Sequence, residues 1–225
     1  MPSPTPTLTT LDVLERARRA GASLAGVASI AALYDSPSYG EHARSQRPSA
    51  FKSALVLALA HSESEPELDW WGVPGGTAGN RKLAEIARRL AGELRDAFGV
   101  DSHLLPYAIE KGGAYLKDAA VLAGLGIIGA NNLLITPQFG PRVRTRALLL
   151  DIELPPASAL DFAPCDACDR PCWRACPQGA FPAGSYSKSL CNVQMKTDEA
   201  RAVSLVKYCR ACELACPVGR EQDCT

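Results

Sequence analysis

The chain has 225 residues, enough for one large domain and a second, smaller one. Hydrophobic residues make up 47% and charged residues 21%, the composition of an ordinary globular protein. Lysine plus arginine and aspartate plus glutamate both number 24, and this balance argues against a large basic surface for DNA or tRNA.

The first segment of interest, "RARRAGASLAGVASIAAL" at 16–33, is basic and then apolar, like a signal peptide. Acidic Asp12 and Glu15 precede it and no convincing cleavage site follows. We therefore interpret the region as a helix over about 9–20 followed by a buried strand over 23–30. No apolar run approaches the roughly 18 residues needed to cross a bilayer, so we expect a cytoplasmic protein without membrane contact.

The next stretch predicts a strand, a loop and a helix. "SALVLALAH" at 53–61 is typical of a buried strand, and 65–80 is a Gly/Pro-rich loop. Trp70 and Trp71 on this loop either pack beneath it or cover a cofactor face. Residues 81–98 form an amphipathic helix, whose apolar face comprises Leu83, Ile86, Ala87, Leu90, Leu94 and Phe98.

The remaining elements of this half are shorter. We predict strands at 101–108, 132–136 and 144–154 and a helix at 114–126. Strands and helices alternate without a strict βαβ rhythm, which favours an α+β layered domain.

Cysteines divide the chain. All nine lie after residue 164, and the Pro-, Ala- and Ser-rich segment 153–164 has the composition of a linker. We therefore predict an N-terminal domain over 1–155 and a cysteine-rich module over 160–225. A reducing cytosol disfavours structural disulfides, so these cysteines are expected to bind metal or to take part in redox chemistry.

Two half-motifs make up the module. The first reads C-x2-C-x3-C-x3-C-P, one residue longer than the ferredoxin run, and a second run also ends on Cys-Pro. In two-cluster ferredoxins the last cysteine of each run ligates the other cluster. This logic assigns one [4Fe–4S] cluster, the first cluster, to Cys165, Cys168, Cys172 and Cys216. It assigns the second cluster to Cys176, Cys191, Cys209 and Cys212.

Other uses of the cysteines remain open. A zinc site would need two C-x2-C pairs and would leave four cysteines idle, and a single cluster would also leave ligands unused. The extra residue within Asp169–Arg170–Pro171 should make a bulge in the loop without abolishing ligation. Cys224 has no place in the two sets and is interpreted as a solvent-exposed thiol.

The stretch "GLGIIG" contains glycines at 124, 126 and 129 in the spacing of a dinucleotide fingerprint. That fingerprint follows a strand and opens a helix, whereas here a predicted helix precedes it and a strand follows. A tight helix-to-strand crossing is therefore the better interpretation.

A longer stretch carries a family resemblance. "AGLGIIGANNLLITPQFGPRVRTRALLLD" at 123–151, followed by a paired ferredoxin module, resembles the epoxyqueuosine reductases and the corrinoid-dependent reductive dehalogenases. "LERARRAGASLAGVASI" at 14–30 is similar to their opening helix and strand. The resemblance implies a nitroreductase-like N-terminal fold and a ferredoxin-like two-cluster module. It also implies a cobalamin between them, to which the clusters pass electrons.

By the same resemblance, the corrinoid is expected to contact Gly124, Gly126, Ile127, Ile128, Gly129, Asn131, Asn132, Leu133, Gly140 and Arg142. Glycines permit close backbone approach, and a flat macrocycle needs an apolar slot with a few polar contacts. The chain departs from the tRNA-modifying members, which commonly have lysine at the position of Ala130 and carry helical-repeat sequence after the clusters.

Candidates for proton transfer to a substrate are Glu110, Lys111 and Tyr115, although ordinary surface roles fit them equally. His42, His61 and His103 are scattered and lack ligand spacing.

The sequence thus predicts an iron–sulfur oxidoreductase that reduces a corrinoid or uses it on a small molecule. Its electrons would come from a donor such as a flavodoxin or ferredoxin. The alternatives are a ferredoxin-type carrier without corrinoid and a short epoxyqueuosine reductase-like enzyme, which the balanced charge disfavours.

Overall fold

The computed structural model describes residues 8–36, 50–72, 76–107 and 109–220, apart from the side chain of residue 110. Its helices and strands are mixed along the chain, which confirms the predicted α+β class. The chain forms two compact units. Unit 1 comprises Met1–Leu59, Lys82–Leu125 and Thr145–Leu160, and unit 2 comprises Ala60–Arg81, Gly126–Arg144 and Asp161–Thr225. Two segments from before residue 155 therefore group with the cysteine-rich region.

Unit 1 begins with α1, Thr10–Arg19, which starts at a capping box. The backbone N–H of Asp12 donates to Thr9 Oγ1 at 3.2 Å, and the backbone N–H of Thr9 donates to the Asp12 carboxylate at 3.0 Å. Strand β1, Leu24–Ser29, follows, and the short helix α2, Ile30–Tyr34, comes directly after it. The predicted helix and buried strand at the start of the chain are both present.

A four-stranded sheet forms the centre of unit 1, with β2 at Ser53–Ala60, β3 at Ser102–Leu104 and β6 at Val143–Leu150. The strand order is β1-β2-β6-β3. β1 and β2 pair antiparallel, as do β3 and β6. β2 is buried along almost its whole length, as its continuous apolar run predicts. β3 and β6 are both shorter than predicted, and β3 pairs through only three residues.

The long helix α3, Ala78–Phe98, covers the predicted span and begins three residues earlier. Its apolar stripe, including Leu83, Leu90 and Leu94, packs with residues of β1, β2 and β6 in one hydrophobic core. Among the residues that the structure describes, 18 buried ones form this core, and all of them belong to unit 1.

Helix α4, Leu116–Leu122, ends at a left-handed glycine, Gly124, with φ of 68°. The end of α4 also approaches β1 closely. A Cβ on Gly26 would lie 2.1 Å from the carbonyl oxygen of Ala123, so only glycine fits at that position. The interpretation of "GLGIIG" as a helix-to-strand crossing agrees with this arrangement.

Unit 2 is built from short elements, apart from one helix of 14 residues. β4, Ile127–Ile128, pairs antiparallel with β5, Leu134–Ile135. Its helices are α5, Pro171–Arg174, α6, Lys188–Arg201, and α7, Ala211–Leu214. Single 3-10 turns occur at Pro66–Asp69 and Pro182–Gly184, and a further one, Ile109–Lys111, belongs to unit 1. In the described part of the chain, no helix combines the length and the apolar character that a membrane span requires.

Candidate metal centre

Eight cysteines of unit 2 lie on or beside its short helices. Cys172 is in α5, Cys191 in α6 and Cys212 in α7. All eight are free thiols, and no disulfide links them. Backbone N–H groups point at several of the sulfurs; for example, Ala130 donates to Cys165 Sγ at 3.4 Å, Arg170 to Cys168 Sγ at 3.4 Å and Ala180 to Cys176 Sγ at 3.3 Å. Such hydrogen bonds are typical of iron–sulfur ligands.

For Cys172, Cys209, Cys212 and Cys216, the neighbouring thiols that shift the pKa belong to the same predicted set. Burial raises the pKa of Cys172, and so do the charges of three other thiols, namely Cys216, Cys165 and Cys168. Burial likewise raises the pKa of Cys212 to about 12, together with the charges of Cys209, Cys176, Cys191 and Glu213. These neighbours are consistent with the two crossed sets that the sequence predicts.

This donor set suits iron–sulfur clusters. Thiolates gathered in groups of four repel one another, and a cationic core relieves that repulsion because cysteine ligates metal as the thiolate. Over the described ranges, no group of three or more His, Cys, Asp or Glu side chains is arranged to hold a metal ion. The ligand assignment itself remains a prediction.

The extra residue in the first cysteine run is accommodated by a left-handed turn. Arg170 has φ of 54°, and its guanidinium lies 4.4 Å from the ring centroid of Trp173. Pro171 begins α5, and Arg174 forms an exposed ion pair with Asp169 at 2.7 Å. Asp169 and Arg170 are exposed, so the insertion forms a bulge in the loop, as its position predicts.

Residues of the "GANN…GPR" stretch hold the cysteine loops. Asn131 Nδ2 donates to the carbonyl of Cys212 at 3.3 Å. Arg142 donates to the carbonyls of Cys216 and Val218 at 3.2 and 2.6 Å. The indole N–H of Trp173 donates to the carbonyl of Ala130 at 2.8 Å. This stretch is thus hydrogen-bonded to both cysteine runs, a role that the sequence did not indicate.

Most residues of the predicted corrinoid-binding set contact other parts of the protein. A Cβ on Gly126 would lie 2.1 Å from the Ile135 carbonyl oxygen, one on Gly129 2.4 Å from the Ile135 side chain and one on Gly140 1.9 Å from the Val218 carbonyl oxygen. Of the predicted set, Gly124 is in unit 1 and the rest are in unit 2. Ile128 is exposed, and Ile127, Asn132 and Leu133 are half-buried. Packing within the protein accounts for these glycines without a corrinoid, so these contacts remain a prediction.

The three proton-transfer candidates lie near one another in the sequence of unit 1. Lys111 is exposed at the end of the 3-10 turn, and Tyr115 is half-buried immediately before α4. The side chain of Glu110 lies outside the described part of the structure, as do His42 and Cys224. The proton-transfer roles of Glu110, Lys111 and Tyr115 therefore remain predictions.

The two tryptophans pack within unit 2. Trp71 forms a backbone bridge to Val206 and an edge contact with Tyr208, whose ring centroid is 6.1 Å away. The ammonium of Lys207 lies 4.2 Å from the ring centroid of Trp70. These contacts agree with packing of the two tryptophans beneath the loop, one of the two predicted alternatives.

A buried group of charges was not predicted at all. We call it the His61 network, and its members are His61, Asp69, Arg144, Arg210 and Glu213. Asp69 accepts from His61 Nδ1 at 2.5 Å, from Arg144 Nε at 2.5 Å and from Arg210 Nη1 at 2.6 Å. Arg210 also donates to Glu213 at 2.5 Å, and His61 Nε2 lies 3.7 Å from the same carboxylate. His61 and Asp69 expose only 4% of their side chains.

Burial by itself would raise the pKa of Asp69. The hydrogen bond from His61 and the charges of Arg144, His61 and Arg210 outweigh it, so the pKa of Asp69 lies below its usual range. Asp69 is therefore ionised and can only accept hydrogen bonds, which makes His61 Nδ1 the donor.

The comparisons with known proteins agree with this architecture. No model of a known protein family matches the chain. An epoxyqueuosine reductase of Listeria monocytogenes is 28% identical over 78% of this chain and 47% of its own length. A tetrachloroethene reductive dehalogenase of Desulfitobacterium hafniense is 44% identical over 58% of this chain and 23% of its own length. The chain spans about half or less of the length of these curated relatives.

Solved structures show the same fold. An epoxyqueuosine reductase with a modified tRNA-Tyr stem loop superposes with a TM-score of 0.67 and 19% identity, covering 96% of this chain and 66% of that one. A reductive dehalogenase described for B12-dependent dehalogenation gives a TM-score of 0.70 and 19% identity, covering 94% and 32%. Homologues and structural neighbours are thus epoxyqueuosine reductases and reductive dehalogenases. The resemblance seen in the sequence is confirmed.

Proposed function

We propose that the protein is an iron–sulfur oxidoreductase with two [4Fe–4S] clusters, which passes electrons to a bound corrinoid. The corrinoid is either the molecule reduced or the cofactor with which a small substrate is reduced. Electrons would come from a flavodoxin- or ferredoxin-type donor.

One observation carries the proposal. The charges of Cys165, Cys168 and Cys216 act on Cys172, and those of Cys176, Cys191 and Cys209 act on Cys212, so each neighbourhood draws on both cysteine runs. A crossed arrangement of this kind is the ligand pattern of two-cluster ferredoxins. Backbone N–H groups aimed at several of the sulfurs add to its support.

The corrinoid part depends on the homologues. The sequence and structure comparisons found reductive dehalogenases, and one solved neighbour is described for B12-dependent dehalogenation. A bound corrinoid would supply a cobalt centre able to accept electrons singly from the clusters. Within this chain, Asn131 and Arg142 would contribute by fixing the cysteine loops, and Lys111 or Tyr115 would donate a proton to the substrate.

The crossed ligation is tested with paired serine variants, reconstituted anaerobically and analysed for iron. The wild type should hold about eight irons per chain. Cys172→Ser with Cys216→Ser removes two ligands of one cluster, so about four irons should remain. Cys172→Ser with Cys176→Ser takes two ligands from one run but from different clusters, so both clusters should be lost. The reverse pattern would show that each run binds its own cluster.

Addition of cobalamin to the reconstituted protein tests the corrinoid. A change in the corrin absorption bands together with co-elution on gel filtration supports binding. Eight irons without any corrin binding would contradict the corrinoid role.

That outcome would favour a second candidate, a ferredoxin-type carrier. The hydrogen bonds from Asn131 and Arg142 to the cysteine loops support this candidate. They give both residues a role within the protein that needs no corrinoid. Reduced carrier would then transfer electrons to an acceptor protein without cobalamin.

A further inference from the structure

The His61 network adjoins the ligands of one predicted cluster. Arg210 directly follows Cys209, and Glu213 directly follows Cys212. Both of those cysteines belong to the second predicted set. The other three members come from distant parts of the chain, at positions 61, 69 and 144, and all five lie within unit 2.

The network is charge-balanced without counting His61, because it contains two arginines and two carboxylates. Arg144 and Arg210 share the Asp69 carboxylate, and Arg210 also holds Glu213. The side chains of these four residues are 4 to 18% exposed. At such burial, water and salt screen the charges poorly, so a change of one charge acts strongly on its surroundings.

The guanidinium of Arg210 has a fixed position in this arrangement. Nη1 is held by Asp69 at 2.6 Å, and Nε and Nη2 are held by Glu213 at 3.2 and 2.5 Å. His61 fixes Asp69 in turn through its Nδ1. A cation located in this way is a constant electrostatic source next to the ligands that flank it.

We propose that the His61 network sets the reduction potential of the second cluster, with Asp69 as the residue that balances its two arginines. The inference rests on the proposed function, because it requires the second cluster to be present. Net charge and hydrogen bonding around a cluster are established determinants of its potential. Asp69 and His61 are positioning residues here, since neither contacts a cysteine in the described contacts.

The sign of the effect follows from electrostatics. Reduction adds one electron to the cluster, so nearby positive charge stabilises the reduced state. Asp69→Asn removes one negative charge and leaves the arginines in excess by one. The midpoint potential of the second cluster should therefore rise, and that of the first cluster should change less because the network flanks Cys209 and Cys212.

The test is a redox titration followed by electron paramagnetic resonance on the iron-loaded protein. The signal of the second cluster is assigned with Cys191→Ser, which should perturb that cluster alone. Asp69→Asn should raise the ratio of reduced to oxidised second cluster at fixed potential by up to about tenfold, since a charge within about 4–6 Å shifts such an equilibrium by at least that factor and Asp69 acts from further away. Glu67→Gln is the matched control, because it removes the same charge from an exposed position two residues away.

A double variant separates charge from structure. Asp69→Asn with Arg144→Gln restores the charge balance, so the potential should return towards the wild-type value. A merely structural role predicts the opposite, since the double variant loses more contacts. The shift should also persist at high salt, where an exposed charge would be screened.

Three results would overturn the inference: an unchanged second-cluster potential in fully loaded Asp69→Asn, equal shifts of both clusters, or no recovery in the double variant. If Asp69→Asn loses iron, the single variant Arg144→Gln provides the test instead. It removes one positive charge, so the midpoint potential of the second cluster should fall. Wild-type protein with fewer than about eight irons would refute the proposed function itself, and that result is visible before any titration.

Discussion

Arg142 occupies a position where a single side chain secures two points of the cysteine loop. Its guanidinium donates to the carbonyls of Cys216 and Val218, and its own carbonyl accepts from the backbone N–H of His61 at 3.1 Å. The planar fork of arginine can reach two acceptors at once, which the single ammonium of lysine cannot do in the same geometry.

Arg142→Gln should therefore weaken the first cluster, to which Cys216 is assigned. The variant leaves the buried carbonyl of Cys216 without its donor, a cost of roughly 1–3 kcal/mol. Iron release to a chelator should become faster for about half of the iron, and Arg142→Lys should restore stability only in part. Arg174→Gln is the control, because its ion pair with Asp169 is exposed. Equal release rates in Arg142→Gln and Arg174→Gln would contradict this role.

At the scale of single residues, the sequence predicted those whose role depends on near neighbours in the chain. Cysteine spacing indicated all eight ligand candidates, because ligands of one cluster repeat at short intervals. The His61 network could not be found in this way, since His61 and Arg210 are 149 positions apart and neither has a motif. Arg142 and Asn131 were singled out by resemblance, but for a contact different from the one that the structure shows.

Among the elements, β1 and the end of α4 are fitted to each other within unit 1. Gly26 provides the space, because a Cβ there would overlap the carbonyl oxygen of Ala123. Gly92, in the interior of α3, has no such function, because a Cβ at that position would have nothing within 4 Å.

These two glycines should respond oppositely to alanine. Gly26→Ala should destabilise unit 1 by about 3 kcal/mol, at the upper end of overpacking effects, because backbone must move. Gly92→Ala should stabilise it by about 0.5–1 kcal/mol, since glycine is a poor helix former. Thermal unfolding followed by far-ultraviolet circular dichroism measures both changes. A destabilised Gly92→Ala, or a neutral Gly26→Ala, would show that the local packing is different.

The elements that were predicted well are those with a strong period. α1, α3 and β2 match their patterns because each buries one face, or in β2 both faces, against the core of unit 1. β3 and β6 were predicted too long because apolar character continues beyond the paired residues. The grouping of 60–81 and 126–144 with the cysteine region had no compositional signal, since neither segment contains cysteine.

Across the whole molecule, the two units differ in what stabilises them. Unit 1 has a large hydrophobic core, whereas α6 and α7 of unit 2 contain no buried residue. Small regions without an apolar core depend on metals or other cross-links.

Removal of iron should therefore affect the units unequally. After treatment with a chelator, amide hydrogen exchange should accelerate in α6 and α7 and remain slow in α3 and β2. Segment-resolved mass spectrometry of loaded and stripped protein measures this difference. Uniform acceleration would indicate one cooperative structure, and no change would show that unit 2 is stable without its clusters.

The path of the chain limits how this architecture can be inherited. The backbone passes between the units five times, after residues 59, 81, 125, 144 and 160. A recombination event that copied only the cysteine-rich stretch into another gene would leave His61, Asp69, Asn131 and Arg142 behind. The carbonyls of Cys212 and Cys216 in such a copy would therefore lose the donors that Asn131 and Arg142 supply.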